Sequence, residues 1–460
     1  MECISILLMT ASQKEHTLSE KEEALLAKAS QMSTVPNEVF SKFNNADVKF
    51  GKVKRENGQE DELTNGNFAT FMESHDRAVR KAAFEALYKQ YGAYINTIAA
   101  AFYGNVKQAM FYADARGYKS TLNMYLDGSF IPENVYKNLI KTVNDNLDKM
   151  YCYVDIRKKA LGVDELHFYD IYAPMVEDID WKISYDEAKD IVVKALAPMG
   201  EEYVSHIKEG FNNGWVDVYE NTGKRSGAFS WGAYGTHPYV FLNYSDTLND
   251  VFTVIHEMGH AMHTYYSNAN QPYIYAGYKI FVAEVASTCN EALLMQYMLK
   301  NTDDEKKKRY LLNHFFEQFK GTLYRQTMFA EFEMEAHAKA EHGEVLSAES
   351  LCAMYKKLNE KYFGPDMVID DEIALEWARI PHFYTPFYVY QYATGYSAAI
   401  AISTKILAGD EQVIAGYRKF LSGGSSMHPI ELLKLCGIDM TRPDVVQEAL
   451  DVFGELLKQW

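Results

Sequence analysis

Apolar residues recur at helical spacing over most of the chain, and this pattern predicts a mainly α-helical protein. In residues 73–113, for example, Ala83, Leu87, Ile98 and Phe102 fall on one helical face, and proline is absent. The same periodicity predicts further helical stretches at residues 18–46, 132–161, 185–210, 279–300, 303–343, 347–363 and 397–460.

Two stretches show the pattern that is typical of β-strands. Val48, Phe50 and Val53 precede a polar, turn-prone segment, so residues 47–68 predict a strand, a loop and a domain junction. Residues 227–244 are punctuated by glycines and predict a hairpin or two strands just before the next helix. A strand at a sheet edge can pair with an extended peptide, and a purely structural sheet fits the same pattern.

The predicted helix after this hairpin contains the pattern H-E-x-x-H. His256 and His260 are four residues apart, so they lie on one helical face and can bind one metal ion together. Glu257 between them can act as a base toward a water on that metal. Gly259 costs about 1 kcal/mol relative to alanine in a helix, and its presence indicates close packing against another element. The alternative is a chance match on an ordinary amphipathic helix.

The third metal ligand must come from another element. His263 lies about 10 Å along the helix axis from His256, too far to share an ion with it. Glu284 is the best candidate, because apolar neighbours make its carboxylate costly to bury without a partner. A surface position is the alternative. Glu291, one heptad later on the same face, is either an acceptor that orients a ligand histidine or a surface residue.

Two histidines and one glutamate suit a single Zn²⁺ per chain and leave one zinc position for water. Zinc makes such a water acidic near pH 7, and Glu257 can take its proton and later pass it on. His/His/Glu ligation would also accept cobalt or manganese. The spacing of the candidate ligands therefore predicts metal-assisted hydrolysis.

The negatively charged oxygen formed in such a hydrolysis needs hydrogen-bond donors. His382 and the tyrosines that follow it are the candidates. Tyr388, Tyr392 and Tyr396 are four residues apart, so they predict one stripe on a helix. Periodicity alone favours an aromatic core stripe over a set of catalytic hydroxyls.

Composition narrows the classes of protein. The chain has 460 residues, 48% hydrophobic residues and a net charge of −17. It can therefore bury a large core, and its charge argues against nucleic acid or anionic membranes as partners. Five cysteines without C-x-x-C argue against a disulfide framework. The apolar run in residues 1–9 is too short for a signal or a membrane span, so a cytoplasmic protein is expected.

Three ordered motifs together resemble oligoendopeptidase F, a member of the thimet-type group of zinc metallopeptidases. They are residues 256–263, residues 281–288 around Glu284, and residues 380–384 with the tyrosines that follow. Residues 227–230 and 324–329 are also similar, and the likeness runs from about residue 20 to the end. The resemblance implies a mainly α, multi-helix zincin-type peptidase that encloses a substrate channel, with a small β-sheet next to the H-E-x-x-H helix.

The resemblance also assigns roles to individual residues. It implies zinc ligands His256, His260 and Glu284, with Glu257 as the base, and cleavage of internal bonds in short peptides. It makes His382 and Tyr388 contacts of the substrate or its oxyanion, with Tyr396 as a further candidate and Tyr392 as an alternative to it.

One departure from the family concerns the N-terminus. Family members usually carry a larger helical region before the part that matches residues 20–60. We therefore expect residues 1–60 to be a remnant of an N-terminal helical domain and residues 61–460 to be the catalytic domain. Two other functions stay open. One is a zinc carboxypeptidase with Arg325 or Arg379 as a carboxylate clamp, and the other is a peptide-binding protein without turnover.

Overall fold

The chain is mainly helical, as predicted. The computed structural model describes residues 13–177, 179 and 181–460, so the apolar run at residues 1–9 and Cys3 lie outside the described residues. The α-helices of the described residues are α1 (Glu20–Ser33), α2 (Val35–Lys42), α3 (Phe68–Met72), α4 (Arg77–Ala93), α5 (Ile95–Ala115), α6 (Thr121–Asp127), α7 (Glu133–Asn144), α8 (Leu147–Leu161), α9 (Tyr185–Ala195), α10 (Glu201–Asn212), α11 (Leu248–Asn270), α12 (Ile280–Lys300), α13 (Glu305–Gln318), α14 (Arg325–Glu341), α15 (Ala348–Phe363), α16 (Tyr390–Leu407), α17 (Glu411–Leu421), α18 (Pro429–Lys434) and α19 (Asp444–Leu457). Within the described part of the chain, no helix is both long and apolar enough to cross a membrane.

Several helices predicted as continuous are interrupted. The stretch 73–113 is two helices, α4 and α5, which meet at Tyr94 shortly after Gly92. The stretch 132–161 is divided between α7 and α8 at residues 145–146, where aspartate and asparagine are weak helix formers. The stretch 303–343 contains a π-helical turn, Phe319–Tyr324, between α13 and α14. The periodicity identifies these helices correctly but does not reveal where they break.

Short strands form three small sheets. Strands β1 (Lys52–Lys54) and β2 (Glu60–Glu62) pair antiparallel, and β3 (Leu166–His167) pairs parallel with β7 (Met367–Val368). Strands β4 (Val216–Tyr219), β5 (Phe229–Trp231) and β6 (Tyr239–Tyr244) form a sheet of order β4-β6-β5. In that sheet β5 and β6 are an antiparallel hairpin, with Ser230 opposite Val240.

The chain divides into two compact units. The first comprises the described residues within 1–128, 144–177 and 324–390, and the second comprises those within 129–143, 178–323 and 391–460. This division differs from the predicted boundary at residue 60, which falls inside the first unit between β1 and the end of β2. The predicted N-terminal remnant and catalytic domain stay predictions.

In the second unit, α11 is packed between α12 and the sheet that contains β5 and β6. A reciprocal cap starts α11: Thr247 accepts the amide of Asp250, and the Asp250 carboxylate accepts the amide of Thr247. Ile255, Met258 and Met262 on its apolar stripe are fully buried. The sequence therefore anchors one face of α11 in the core and leaves another face available for chemistry.

Candidate metal centre

The two histidines of α11 converge, as their spacing predicts. His256 and His260 direct their Nε2 atoms toward each other, and these atoms are 3.1 Å apart. Both side chains are partly exposed, at 28% and 17%. One helical turn thus places two imidazole nitrogens at the edge of the core, where a small ion can reach both.

Glu284 of α12 completes the cluster. Its Oε2 atom lies 3.6 Å from His256 Nε2 and 3.4 Å from His260 Nε2. Ser287, one turn later on α12, donates a hydrogen bond to the same oxygen at 3.2 Å. His263 takes no part, because it is buried and stacks on Tyr278 with ring centroids 3.6 Å apart.

The three atoms are spaced nearly as the ligands of a tetrahedral metal ion are. Their separations are 3.1, 3.4 and 3.6 Å. A tetrahedron with metal–ligand bonds of about 2.0–2.2 Å has edges of about 3.3–3.6 Å. Two nitrogens and one carboxylate oxygen are donors that zinc accepts, and a fourth direction remains for water or substrate. Among the described residues, no other group of histidine, cysteine or carboxylate side chains clusters in this way.

Glu291 orients one of the ligands. Its carboxylate accepts a hydrogen bond from Nδ1 of His256, which leaves the lone pair on Nε2 directed into the cluster. Burial lowers the pKa of His256, but the hydrogen bond and charge of Glu291 outweigh it and raise the pKa to about 9, so a metal ion that binds Nε2 displaces a proton from it. Of the two roles left open for Glu291, the geometry favours the orienting one over the surface one.

The charges of the cluster support an anionic third ligand. Burial raises the pKa of Glu284, but hydrogen bonding and charge from His260, together with the charge of His256, lower it to about 2. The carboxylate is therefore ionised at neutral pH and available to a cation.

Glu257 lies beside the cluster and is more buried than the three residues that form it. Its side chain is 7% exposed, and its Oε2 atom is buried without a hydrogen-bond partner in the part of the chain that the structure describes. Burial raises the pKa of Glu257, while the nearby His256 and His260 lower it in part. A carboxylate with increased proton affinity suits a group that takes a proton and gives it back.

The tyrosines do not form a single helical stripe. Tyr388 precedes α16, so only Tyr392 and Tyr396 are one turn apart on a helix. Helix α16 passes the metal ligands, since a Cβ on Gly395 would lie 4.0 Å from that of Glu284. The prediction that Tyr388 shares a helical stripe with the other two is therefore wrong.

Tyr396 is buried to 4% exposure, and its ring packs edge-on against Phe319 at 5.0 Å. Its hydroxyl has no hydrogen-bond partner among the described residues. A contact with substrate requires an accessible hydroxyl, so this burial argues against the predicted catalytic role of Tyr396.

His382 and Tyr388 belong to the first unit and are described within it. Their rings are parallel to within 12°, with centroids 6.1 Å apart. Burial and the positive charge of Arg325 lower the pKa of His382, which favours the neutral imidazole. The predicted roles of both side chains in binding substrate stay predictions.

The two candidate carboxylate clamps are both engaged. Arg325 donates to Glu376 at 2.5 Å and to the hydroxyl of Tyr172 at 3.1 Å. Arg379 lies 3.8 Å from the same Glu376 carboxylate. A free guanidinium for a peptide C-terminus is therefore found at neither position.

Sequence reasoning missed two residues near the candidate metal ligands. Ser287 is three positions from Glu284, so helical spacing could have identified it. Gln318 donates its amide to Glu291 at 2.7 Å. It is 27 positions away on another helix, and no local pattern connects the two.

Comparisons with known proteins identify a family that the chain matches over most of its length. The family model for Peptidase family M3 matches residues 70–452, and the model for Oligopeptidase F matches residues 8–50. Oligopeptidase PepF of Bacillus subtilis (strain 168) is 53% identical over 447 residues, which are 97% of this chain and 67% of that protein.

Solved structures are similar to the chain in fold. The crystal structure of oligoendopeptidase-F from Enterococcus faecium has a TM-score of 0.84 at 36% identity, covering 99% of this chain and 77% of that one. A crystallised protein of Chlamydophila abortus has a TM-score of 0.95 at 39% identity, covering 100% and 77%. These likenesses confirm the fold class predicted from the sequence.

Proposed function

We propose, from the premise that the chain belongs to peptidase family M3, that it is a zinc-dependent endopeptidase acting on short oligopeptides. As a member of that family it is a metallo-oligopeptidase. The identity of the metal, the attack on internal bonds and the residue roles are the proposal. The observation that carries it is the tetrahedral set of His256, His260 and Glu284 with the buried Glu257 beside it.

The residues divide the reaction between them. Zinc, when bound by these three side chains, supplies a Lewis acid that acidifies water and polarises the peptide carbonyl. Glu257 takes the proton of the attacking water and delivers it to the nitrogen of the leaving amine. Its burial suits this task, because a raised pKa lets it hold the proton between the two steps.

The oxyanion that forms on the substrate needs donors. We assign this task to His382 and Tyr388, whose rings are stacked. Burial and the positive charge of Arg325 lower the pKa of His382 and so keep its imidazole neutral. On α16, the half-buried Tyr392 is the better candidate for a donor. Tyr396 is assigned a packing role because its hydroxyl is buried.

The ion pairs of Arg325 and Arg379 favour an endopeptidase over a carboxypeptidase. A carboxypeptidase needs a cation that is free to bind the terminal carboxylate, and Arg325 and Arg379 both face Glu376 instead. Internal cleavage places no such demand. The proposed partners are therefore short peptides, and the proposed compartment is the cytoplasm, where the free thiols of Cys152, Cys289, Cys352 and Cys436 stay reduced.

The test is hydrolysis of a quenched-fluorescent oligopeptide with an amidated C-terminus, followed by product mapping. We expect internal cleavage that a chelator abolishes and zinc restores. Glu257→Gln should slow turnover by about 10²–10⁴-fold while zinc binding is retained. A folded, zinc-loaded protein that cleaves nothing would favour the peptide-binding alternative. Release of C-terminal residues from free-acid peptides alone would favour the carboxypeptidase.

A further inference from the structure

A hydrogen-bonded chain extends behind the metal ligands to a residue outside the ligand set. Nδ1 of His256 donates to one oxygen of Glu291, and the other oxygen of Glu291 accepts from the side-chain amide of Gln318 at 2.7 Å. Both carboxylate oxygens of Glu291 are thus engaged, one by a metal ligand and one by Gln318. The orientation of Glu291 is determined from both sides.

Gln318 is itself held by its place in the fold. It is the last residue of α13, directly before the π-helical turn Phe319–Tyr324. Phe319 is fully buried, stacks on Phe453 at 4.8 Å and meets the ring edge of Tyr396 at 5.0 Å. Turns of this kind widen a helix locally and frequently occur at functional sites. Here the turn anchors the residue after Gln318 in the core.

A second contact limits the motion of the Gln318 side chain. Its Nε2 atom lies 3.4 Å from Nε2 of His314, one turn earlier on α13, and His314 stacks on Phe252 of α11 at 4.5 Å. The amide is therefore presented to Glu291 from a surface that α11 and α13 share.

The chemistry of an amide matters at this position. Gln318 donates a hydrogen bond to Glu291 but carries no charge and no acidic proton. It satisfies the second oxygen of Glu291 and leaves the first as an acceptor for His256. A glutamate at position 318 would place two carboxylates side by side, and a leucine would leave one oxygen of Glu291 without its donor.

We propose that Gln318 is a positioning residue that increases the affinity of the site for zinc by fixing Glu291 and, through it, the imidazole plane of His256. This inference rests on the proposed function only in taking zinc as the bound metal. Partners behind metal ligands commonly change metal affinity by about 10–100-fold. Gln318 is one hydrogen bond further from the metal site than Glu291, so we expect an effect near the lower end of that range.

The experiment measures the zinc dissociation constant by competition with a chromogenic chelator. The variants are Gln318→Leu and Gln318→Glu, beside Gln412→Leu on the exposed face of α17 as a matched control. We expect about a tenfold weaker binding for Gln318→Leu, a larger loss for Gln318→Glu and none for the control. The thermal unfolding midpoint of the metal-free Gln318→Leu protein should match that of the parent.

A double-mutant cycle with Glu291→Ala decides whether Gln318 acts through Glu291. Without Glu291, the Gln318→Leu change should add no further loss of zinc affinity. An additional tenfold loss in that background, or unchanged affinity in the single variant, would overturn the inference. A lowered unfolding midpoint of the metal-free protein with unchanged zinc affinity would reduce Gln318 to a structural role.

The outcome is separable from the proposed function. If the parent binds zinc and cleaves peptide while Gln318→Leu binds zinc equally well, the inference alone fails. If Gln318→Leu loses affinity but the parent cleaves no peptide, the inference stands and the endopeptidase proposal fails. If the parent binds no zinc, both fail.

Discussion

Gly259 on α11 lies so close to Ser287 on α12 that a Cβ at position 259 would come within 2.6 Å of Ser287 Cα. It would also lie 2.8 Å from the carbonyl oxygen of Ala286. These are backbone atoms, so a side chain cannot move aside to make room. The two helices therefore cross at Gly259, which has no side chain and directly precedes His260. This close contact brings Glu284 to His256 and His260.

The first prediction follows from this contact. Gly259→Ala should force α12 away from α11, lower the free energy of unfolding by about 1–3 kcal/mol through overpacking and reduce the zinc content of the purified protein. Gly92→Ala on α4 is the matched control, because a Cβ there would make only an ordinary contact of 3.4 Å with the end of the Leu375 side chain. Zinc stoichiometry and the unfolding midpoint are the measurements. Full zinc content in Gly259→Ala would show that the helices can separate without loss of the site.

Tyr396 gives a second prediction. Its hydroxyl is buried without a partner among the described residues, so Tyr396→Phe should change the turnover rate by no more than about twofold and leave stability unchanged or raised. Tyr392→Phe is the companion variant, because Tyr392 is more exposed on the same helix. Steady-state hydrolysis of the quenched peptide distinguishes them. If Tyr396→Phe instead slowed turnover by roughly two orders of magnitude, its hydroxyl would belong at the oxyanion.

The cluster of His256, His260 and Glu284 is predictable from the sequence, because local spacing brings the two histidines together and apolar neighbours single out the glutamate. His256 and His260 face the same way on any regular helix, and Gly259 already indicates the close approach of a second helix. Glu284 joins the two histidines when the next helix of the chain packs against α11. What local spacing cannot supply is the contact between Gln318 and Glu291, which exists only once α13 has packed beside α11 and α12.

The segment around Tyr388 shows where periodicity misleads. Tyrosines at 388, 392 and 396 predict one helix, but Pro386 disfavours a helical residue before it, and Phe387 has a left-handed φ of 56°. The helix consequently starts only at Tyr390. A backbone conformation set by proline and by tertiary contacts overrides the four-residue spacing.

A third prediction concerns the buried carboxylate of Asp170 in the first unit. Arg80, itself buried, donates to it at 2.7 Å, and Arg77 donates at 2.8 Å. Asp170→Asn should lower the free energy of unfolding by about 3–5 kcal/mol, because the positive charge of Arg80 is left buried without its counter-ion. Asp155→Asn, in an exposed pair with Lys159, is the control and should change little.

The contribution of Asp170 depends on pH in a defined direction. Burial raises the pKa of its carboxyl, but hydrogen bonds from Arg77 and Arg80 outweigh that and hold the pKa below its usual range. The carboxylate therefore stabilises the fold above the ordinary aspartate pKa of about 3.9 and loses this effect as the pH falls through the lowered value. Urea unfolding of the parent and Asp170→Asn should accordingly converge in strong acid and differ most at neutral pH. An equal difference at both pH values would contradict this explanation.

The last prediction concerns Glu333 on α14, which is fully buried and accepts the backbone amide of Phe387 at 3.0 Å. Phe387 precedes Tyr388, so this bond supports the left-handed turn that presents a proposed substrate contact. Glu333→Ala removes the acceptor and should cost about 1–3 kcal/mol of stability for the unsatisfied amide. It should also slow peptide hydrolysis, whereas Glu333→Gln retains an oxygen for the amide and should preserve activity.

The stability of these variants as a function of pH tests whether the buried Glu333 is protonated. Burial raises the pKa of Glu333 well above its ordinary value, and burial lowers the pKa of His337, one turn away, to about 3. The neutral His337 supplies no compensating charge, so the folded state prefers a protonated Glu333.

Relative to the Glu333→Gln variant, the parent protein therefore loses stability as the pH rises above the ordinary glutamate pKa of about 4.3. Glu333→Gln should be increasingly more stable than the parent between about pH 5 and pH 8, to a degree that thermal unfolding can follow. A constant difference across that range would mean that Glu333 is ionised inside the fold.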